Sequence, residues 1–183
     1  HRLIRRQRQM CIRDSLSLSK DTGTISKKDL ETSPGYPSKK YLKKGPVAVI
    51  ECTEEIPCNP CETVCKRGAI IVGEPITNLP RIDPEKCNGC GLCIPICPGL
   101  AIFLVDATYS EDKATISFPH EYLPLPKKGD EVEAVNRKGE VICKGKVLNI
   151  RNPKSYDHTP VVTITIPKKY IDEIRGIKRL QRR

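Results

Sequence analysis

Eight of the ten cysteines fall into two sets, Cys52, Cys58, Cys61 and Cys65, then Cys87, Cys90, Cys93 and Cys97. In the second set three thiols stand at intervals of three residues, a fourth follows four residues on, and Pro98 comes directly after it. Cysteines in the order C-x2-C-x2-C-x3-C-P suit a 4Fe-4S cubane, in which each corner iron takes one thiolate. Gly89 and Gly91, inside this run, let the backbone curl around such a cluster and aim N–H groups at its sulfurs. Zinc is the rival chemistry. Its sites usually carry two separated C-x2-C pairs or cysteine mixed with histidine, whereas these cysteines are evenly spaced. His120 and His158 have no ligand-like spacing.

The first set is a copy of the second. At an offset of 32, Cys58, Cys61, Cys65, Ala69 and Ile70 map onto Cys90, Cys93, Cys97, Ala101 and Ile102, so one supersecondary unit occurs twice. The first ligand breaks register, because Cys52 stands six residues before Cys58 while Cys87 stands three before Cys90. Lys66 also occupies the place that Pro98 takes in the second copy. Cys52 therefore has a competing role as a buried free thiol, with the first cluster three-coordinate or absent.

Over residues 46–108 the chain resembles the bacterial two-cluster ferredoxins, with near-complete agreement in the second motif. The resemblance implies crossed ligation: the fourth cysteine of each motif serves the other motif's cluster. One cluster would then take Cys52, Cys58, Cys61 and Cys97, and the other Cys87, Cys90, Cys93 and Cys65. The β-rich run Val47 to Glu51 leads into Cys52. Ala69 to Val72, Arg81 to Asp83 and Ala101 to Val105 read as short strands covering the clusters, with a turn of helix after each C-x2-C.

From about Thr115 the pattern becomes β. Gly129 to Val135, Val141 to Ile150 and Val161 to Ile166 are strand-like and separated by Gly, Asn, Asp and Pro. Val162, Ile164 and Ile166 share one face and Thr163 and Thr165 the other, as a half-buried strand demands. Pro167 can open a helix with Tyr170, Ile171 and Ile174 on one side. The fold expected is α+β: a ferredoxin-like two-cluster 4Fe-4S domain over 46–108, then a small β-barrel or sandwich with a C-terminal helix over 115–183. Cys143, inside a strand run, reads as a core residue.

At the other end, Arg5 to Ser15 looks like a translated adapter from a sequencing library, so residues 1–15 are set aside and Cys11 with them. Without that segment's five Arg and one Asp, the net charge of +10 becomes +6. Residues 16–45 read as a basic polar arm with no amphipathic period long enough for a stable helix, suited to lying across a partner.

The positive charge is unevenly placed: +8 over residues 1–45, −4 over 46–108 and +6 over 109–183. Thiolate-bound clusters would make the middle more acidic still. With no stacking-aromatic pattern and no DNA- or RNA-binding motif, nucleic acid is not an expected partner. No apolar run approaches the roughly 18 residues of a membrane span, so no membrane partner is expected except through another subunit. Ligand-like cysteine spacing without a secretory h-region argues for a reducing compartment, the cytoplasm.

The chain carries no Gly-rich dinucleotide fingerprint, P-loop or nucleophile elbow, so no catalytic residue of its own is expected. The arm and the added β module are similar to ferredoxin-like subunits that accompany FAD- and NAD(P)-dependent dehydrogenase subunits. That resemblance implies an electron-transfer subunit in a hetero-oligomer, with flavin- or NAD(P)-binding partners. A freestanding ferredoxin-type carrier is the alternative, and an iron-sulfur regulator on nucleic acid a more distant one. Two short cysteine repeats offer little docking surface, so the arm and the β module are the expected docking elements.

Overall fold

The computed structural model describes residues 25, 27–53 and 55–181. The adapter-like segment 1–15 and the start of the arm lie outside the described residues. The fold is α+β and mostly antiparallel sheet, and its central ribbon is made by β1 (Val47–Ile50) and β4 (Ile102–Asp106). The two pair antiparallel, with Val47 opposite Val105 and Ile50 opposite Ile102. All four residues of β1 are buried, which explains why it reads as a continuous apolar run and not as an alternation. Val47 and Val49 join Phe103 and Val105 in one core, while Ala48, Ile50 and Ile102 join Cys61, Ile70 and Ile94 in another. Alternate residues of one ribbon thus serve two cores.

The smaller core holds the two cysteine repeats. Each repeat folds as a short helix followed by a strand: α3 (Pro60–Val64) and β2 (Ile70–Ile71) in the first, α4 (Cys93–Ile96) and β4 in the second. Pro60 opens α3, where a missing N–H costs nothing. β2 pairs with β3 (Arg81–Ile82), Ile70 facing Ile82.

The larger core is enclosed by a seven-stranded sheet in the order β1-β4-β5-β8-β7-β6-β9. Its remaining strands are β5 (Lys113–Pro119), β6 (Glu131–Asn136), β7 (Val141–Arg151), β8 (Val161–Pro167) and β9 (Ile174–Ile177). The apolar face expected in β8 is present, but the strand is not half-buried, because Thr165 on its other face is buried too. Val162, Ile164 and Ile166 are in the core, and Thr163 meets Ser117 of β5 through a 2.8 Å hydroxyl contact on the other face. Cys143 is partly buried against the same core. The β4–β5 ladder carries the sheet across the boundary expected between residues 108 and 115.

The expected C-terminal helix is replaced by a three-residue 3-10 turn, Lys168–Tyr170, and then by β9. β9 pairs with β6, Ala134 opposite Ile177, and buries Ile174 and Ile177. A short helix containing Gly176 has little stability of its own, and pairing with the free edge of β6 outweighs it.

The arm also differs from its expectation. It forms α1 (Lys27–Thr32) and α2 (Lys39–Leu42), which bury Leu30 and Leu42 against the chain itself. Helices this short are held by tertiary burial and not by propensity. The carbonyl of Gly35 between them accepts the Ile50 N–H at 2.9 Å, so the arm continues the hydrogen bonding of β1.

Candidate metal centre

Two cavities lie on the small-core side of the β1–β4 ribbon. Cys52, Cys58, Cys61 and Cys97 line the first. Cys65, Cys87, Cys90 and Cys93 line the second. Each rests on one cross-strand pair of the ribbon: Ile50 with Ile102 under the first, Ala48 with Leu104 under the second. The floors are therefore two residues apart, about 7 Å of strand.

The repeat symmetry extends to local geometry. Cys61 and Cys93, related by the offset of 32, are both 7% exposed. Gly68 and Leu100, related the same way, both adopt positive φ, 59° and 53°. This turn brings the Ala69 N–H to the Cys65 sulfur at 3.3 Å, and the backbone of Gly99, Leu100 and Ala101 to the Cys97 sulfur. Gly89 and Gly91, at φ 69° and 70°, curl the second loop as their sequence position suggested. A Cβ on Gly89 would stand 2.6 Å from Pro46, so the loop also packs too closely for a side chain there.

The thiols are electrostatically coupled within each cavity. Burial pushes Cys61 up to about 12, and the like charges of Cys97, Cys58 and Cys52 add to the effect. Burial raises Cys93 as well, followed by Cys87 and Cys90. Four thiolates among apolar walls need a positive body to stay ionised, and iron held by them would supply one. Among the described residues, no group of three or more His, Cys, Asp or Glu is placed to hold a single metal ion. Four thiols line each cavity, the number of corners that a cubane presents.

Residues 80–103, which span Cys87, Cys90, Cys93 and Cys97, match the family model described as the 4Fe-4S binding domain. The chain carries a 4Fe-4S binding domain. Its relatives include a subunit of the Na(+)-translocating ferredoxin:NAD(+) oxidoreductase complex of Acetobacterium woodii, 47% identical over 45 residues, 25% of this chain and 13% of that protein. A subunit of the ion-translocating oxidoreductase complex of Methanosarcina acetivorans is 51% identical over 49 residues, 27% of this chain and 17% of that protein. Protein Pixie of Drosophila melanogaster is 28% identical over 109 residues, 51% of this chain and 18% of that protein. The chain thus spans less than a fifth of the length of these curated relatives. No solved structure matches it significantly.

The charged surroundings of the two cavities differ. Arg67 lines the second cavity, but Lys66 is exposed and does not. Near the first, Glu54 lies outside the described residues and Glu55 is exposed. Glu62 turns away to accept the Val72 and Gly73 N–H groups at 3.1 and 3.3 Å. Among the described residues, the first cavity has no charged residue in its lining, and Asn78 is its polar non-cysteine member.

Two residues near the cavities carried no sequence signal. Glu51, next to Cys52, is buried between Arg137 and Arg175. Arg151, at the end of β7, donates from Nη1 to the Cys90 carbonyl at 2.9 Å. Both contacts join segments far apart in the chain.

Proposed function

We propose that the chain is an iron-sulfur electron-transfer subunit, relaying electrons through two 4Fe-4S clusters to or from a flavin in a partner of a larger oxidoreductase. The observation that carries this reading is the sorting of eight thiols into two sets of four, each combining three cysteines of one repeat with the last of the other. On this reading Cys52, Cys58, Cys61 and Cys97 hold the first cluster, and Cys87, Cys90, Cys93 and Cys65 the second. When bound, a 4Fe-4S cubane takes up and gives back single electrons at a potential set by its surroundings.

The protein residues then have defined roles. Ile50, Ile56 and Ile102 around one site, and Ala48, Ile70 and Leu104 around the other, exclude water. The backbone N–H of Ala69 and those of Gly99 to Ala101 stabilise negative charge on Cys65 and Cys97. Two floors on one rigid ribbon hold the sites side by side.

The subunit reading draws support from two relatives whose names are those of complex subunits, one of them linked to NAD(+). Those names also describe ion-translocating complexes. None of the described helices is long and apolar enough to cross a membrane. In this reading the subunit works in the cytoplasmic compartment, as the ligand-like cysteine spacing suggests, and a partner makes any membrane contact.

Anaerobic reconstitution tests the reading. About eight irons and eight sulfides per chain are expected. Saturation at about four irons, with Cys52→Ser leaving the spectrum unchanged, would show that the first site holds no cluster. Purification from the host separates the partners: stable flavin-containing chains support the subunit, a lone shuttling monomer the freestanding carrier, and salt-sensitive retention on DNA the regulator.

A further inference from the structure

Cys90 is the one exposed thiol among the eight, so the second site meets solvent at this ligand. Arg151 stands beside it. Its Nη1 donates to the Cys90 carbonyl at 2.9 Å, and its Nη2 lies 2.6 Å from the place a Cβ on Gly91 would take. The guanidinium therefore lies against the Cys90–Gly91 peptide, where Gly91 has a positive φ of 70° and no side chain in the way. Arg151 pairs with Val161 at the end of the β7–β8 ladder, so its backbone is held by the large sheet.

We infer that Arg151 is a positioning residue that sets the reduction potential of the second cluster, an inference that rests on the two-cluster reading. The argument is one of charge and geometry. A reduced cubane carries one more negative charge than an oxidised one, so a fixed cation nearby favours the reduced state and raises the potential. A guanidinium cannot lose its proton, so this charge is constant over the working pH range. Donation to the Cys90 carbonyl also fixes that peptide plane, and in a trans peptide the Gly91 N–H then points away from Arg151. Arg151 touches Cys90 of the second cavity, and among the described residues the first cavity is lined without charge, so the effect is expected mainly at one site. Through this contact the β module acts on the redox centre as well as on the fold.

The test is a redox titration followed by electron paramagnetic resonance on the reconstituted full chain, with Cys90→Ser identifying the second-site signal. R151Q is expected to shift the second-site potential to more negative values and leave the first unchanged, while R151K restores most of it. An unchanged second-site potential in R151Q, or equal shifts at both sites, overturns the inference. Should R151Q fail to load the second site, R151K decides. Loading with a clearly lowered potential supports the inference, because only the guanidinium contact has changed; loading with the wild-type potential supports it only if R151M, which lacks the charge, loads at a lower one, and overturns it if R151M matches the wild type. If the wild type loads only the second cavity, the two-cluster reading fails, and R151Q still tests the arginine on the remaining signal.

Discussion

Arg175 of β9 forms a buried ion pair with Glu51, the residue directly before Cys52. Arg137 takes the same carboxylate, its Nε donating at 2.8 Å. Arg175 also lies over the Phe103 ring of β4, 5.3 Å from the centroid. β9 and β1 stand at opposite ends of the strand order, so side chains and not a backbone ladder bring the two ends of the curled sheet together. The seam falls beside the first candidate ligand.

The seam predicts acid lability. Burial alone would raise the Glu51 carboxyl, but hydrogen bonds and charge from Arg137 and Arg175 outweigh it and hold it below the ordinary 4.5. A depressed folded-state value means that the stabilisation is full above the ordinary value and is lost as pH falls through the lowered one. Glu51→Ala should cost about 3–5 kcal/mol, because it leaves buried guanidinium charge uncompensated. Denaturant unfolding at neutral pH measures the loss, and the variant's acid limb should be flatter than the wild type's.

Crossed ligation predicts crossed damage. Cys65→Ser, in the first repeat, should impair the site of Cys87, Cys90 and Cys93, and Cys97→Ser the site of Cys52, Cys58 and Cys61. Iron content together with the spectrum of the surviving cluster checks this. Damage confined to each residue's own repeat would contradict it.

The second site should have the higher potential and be reduced first. Arg67 lines it, whereas the first is lined without charge among the described residues and flanked by Pro57 and Pro60, which have no N–H to offer a sulfur. An electron paramagnetic resonance titration of the wild type, showing equal potentials or the reverse order, would reject this.

A fragment spanning Pro46 to Ala114 is expected to lose its clusters. Removing β5 to β9 strips the larger core from Val47, Val49, Phe103 and Val105, the far side of the ribbon on which both cavities rest. Comparison of iron content between fragment and full chain decides. A fragment that keeps both clusters would show that the β module serves docking alone.

What was legible in the sequence was local. The spacing of Cys58, Cys61 and Cys65 and its copy 32 residues on carry the repeat without any knowledge of contacts, as does the alternation of Val162, Ile164 and Ile166. Tyr170, Ile171 and Ile174 fit a helical face equally well, and only the open edge of β6, contributed by Glu131–Asn136, turns Ile174–Ile177 into a strand. Leu30 and Leu42 stood alone among polar residues, and nothing local marked them as core. Arg151 and Cys90 are 61 residues apart, and Arg175 and Glu51 are 124 apart; such pairs exist only once the sheet has curled.

The two-sided burial of β1 also removes the usual safeguard of alignment. In a half-buried strand, sliding by one residue turns polar side chains inward, and that penalty keeps partners in step. Val47, Ala48, Val49 and Ile50 are all apolar and all covered, so a slide would exchange one greasy face for another. The stop must come from the strand's end. There the Glu51 N–H donates to the Ala101 carbonyl at 2.8 Å, and its carboxylate is locked to two arginines that no neighbouring residue could satisfy. Glu51 thus works as an indexing pin, a single charge that keeps each cross-strand pair of the ribbon beneath its own set of cysteines.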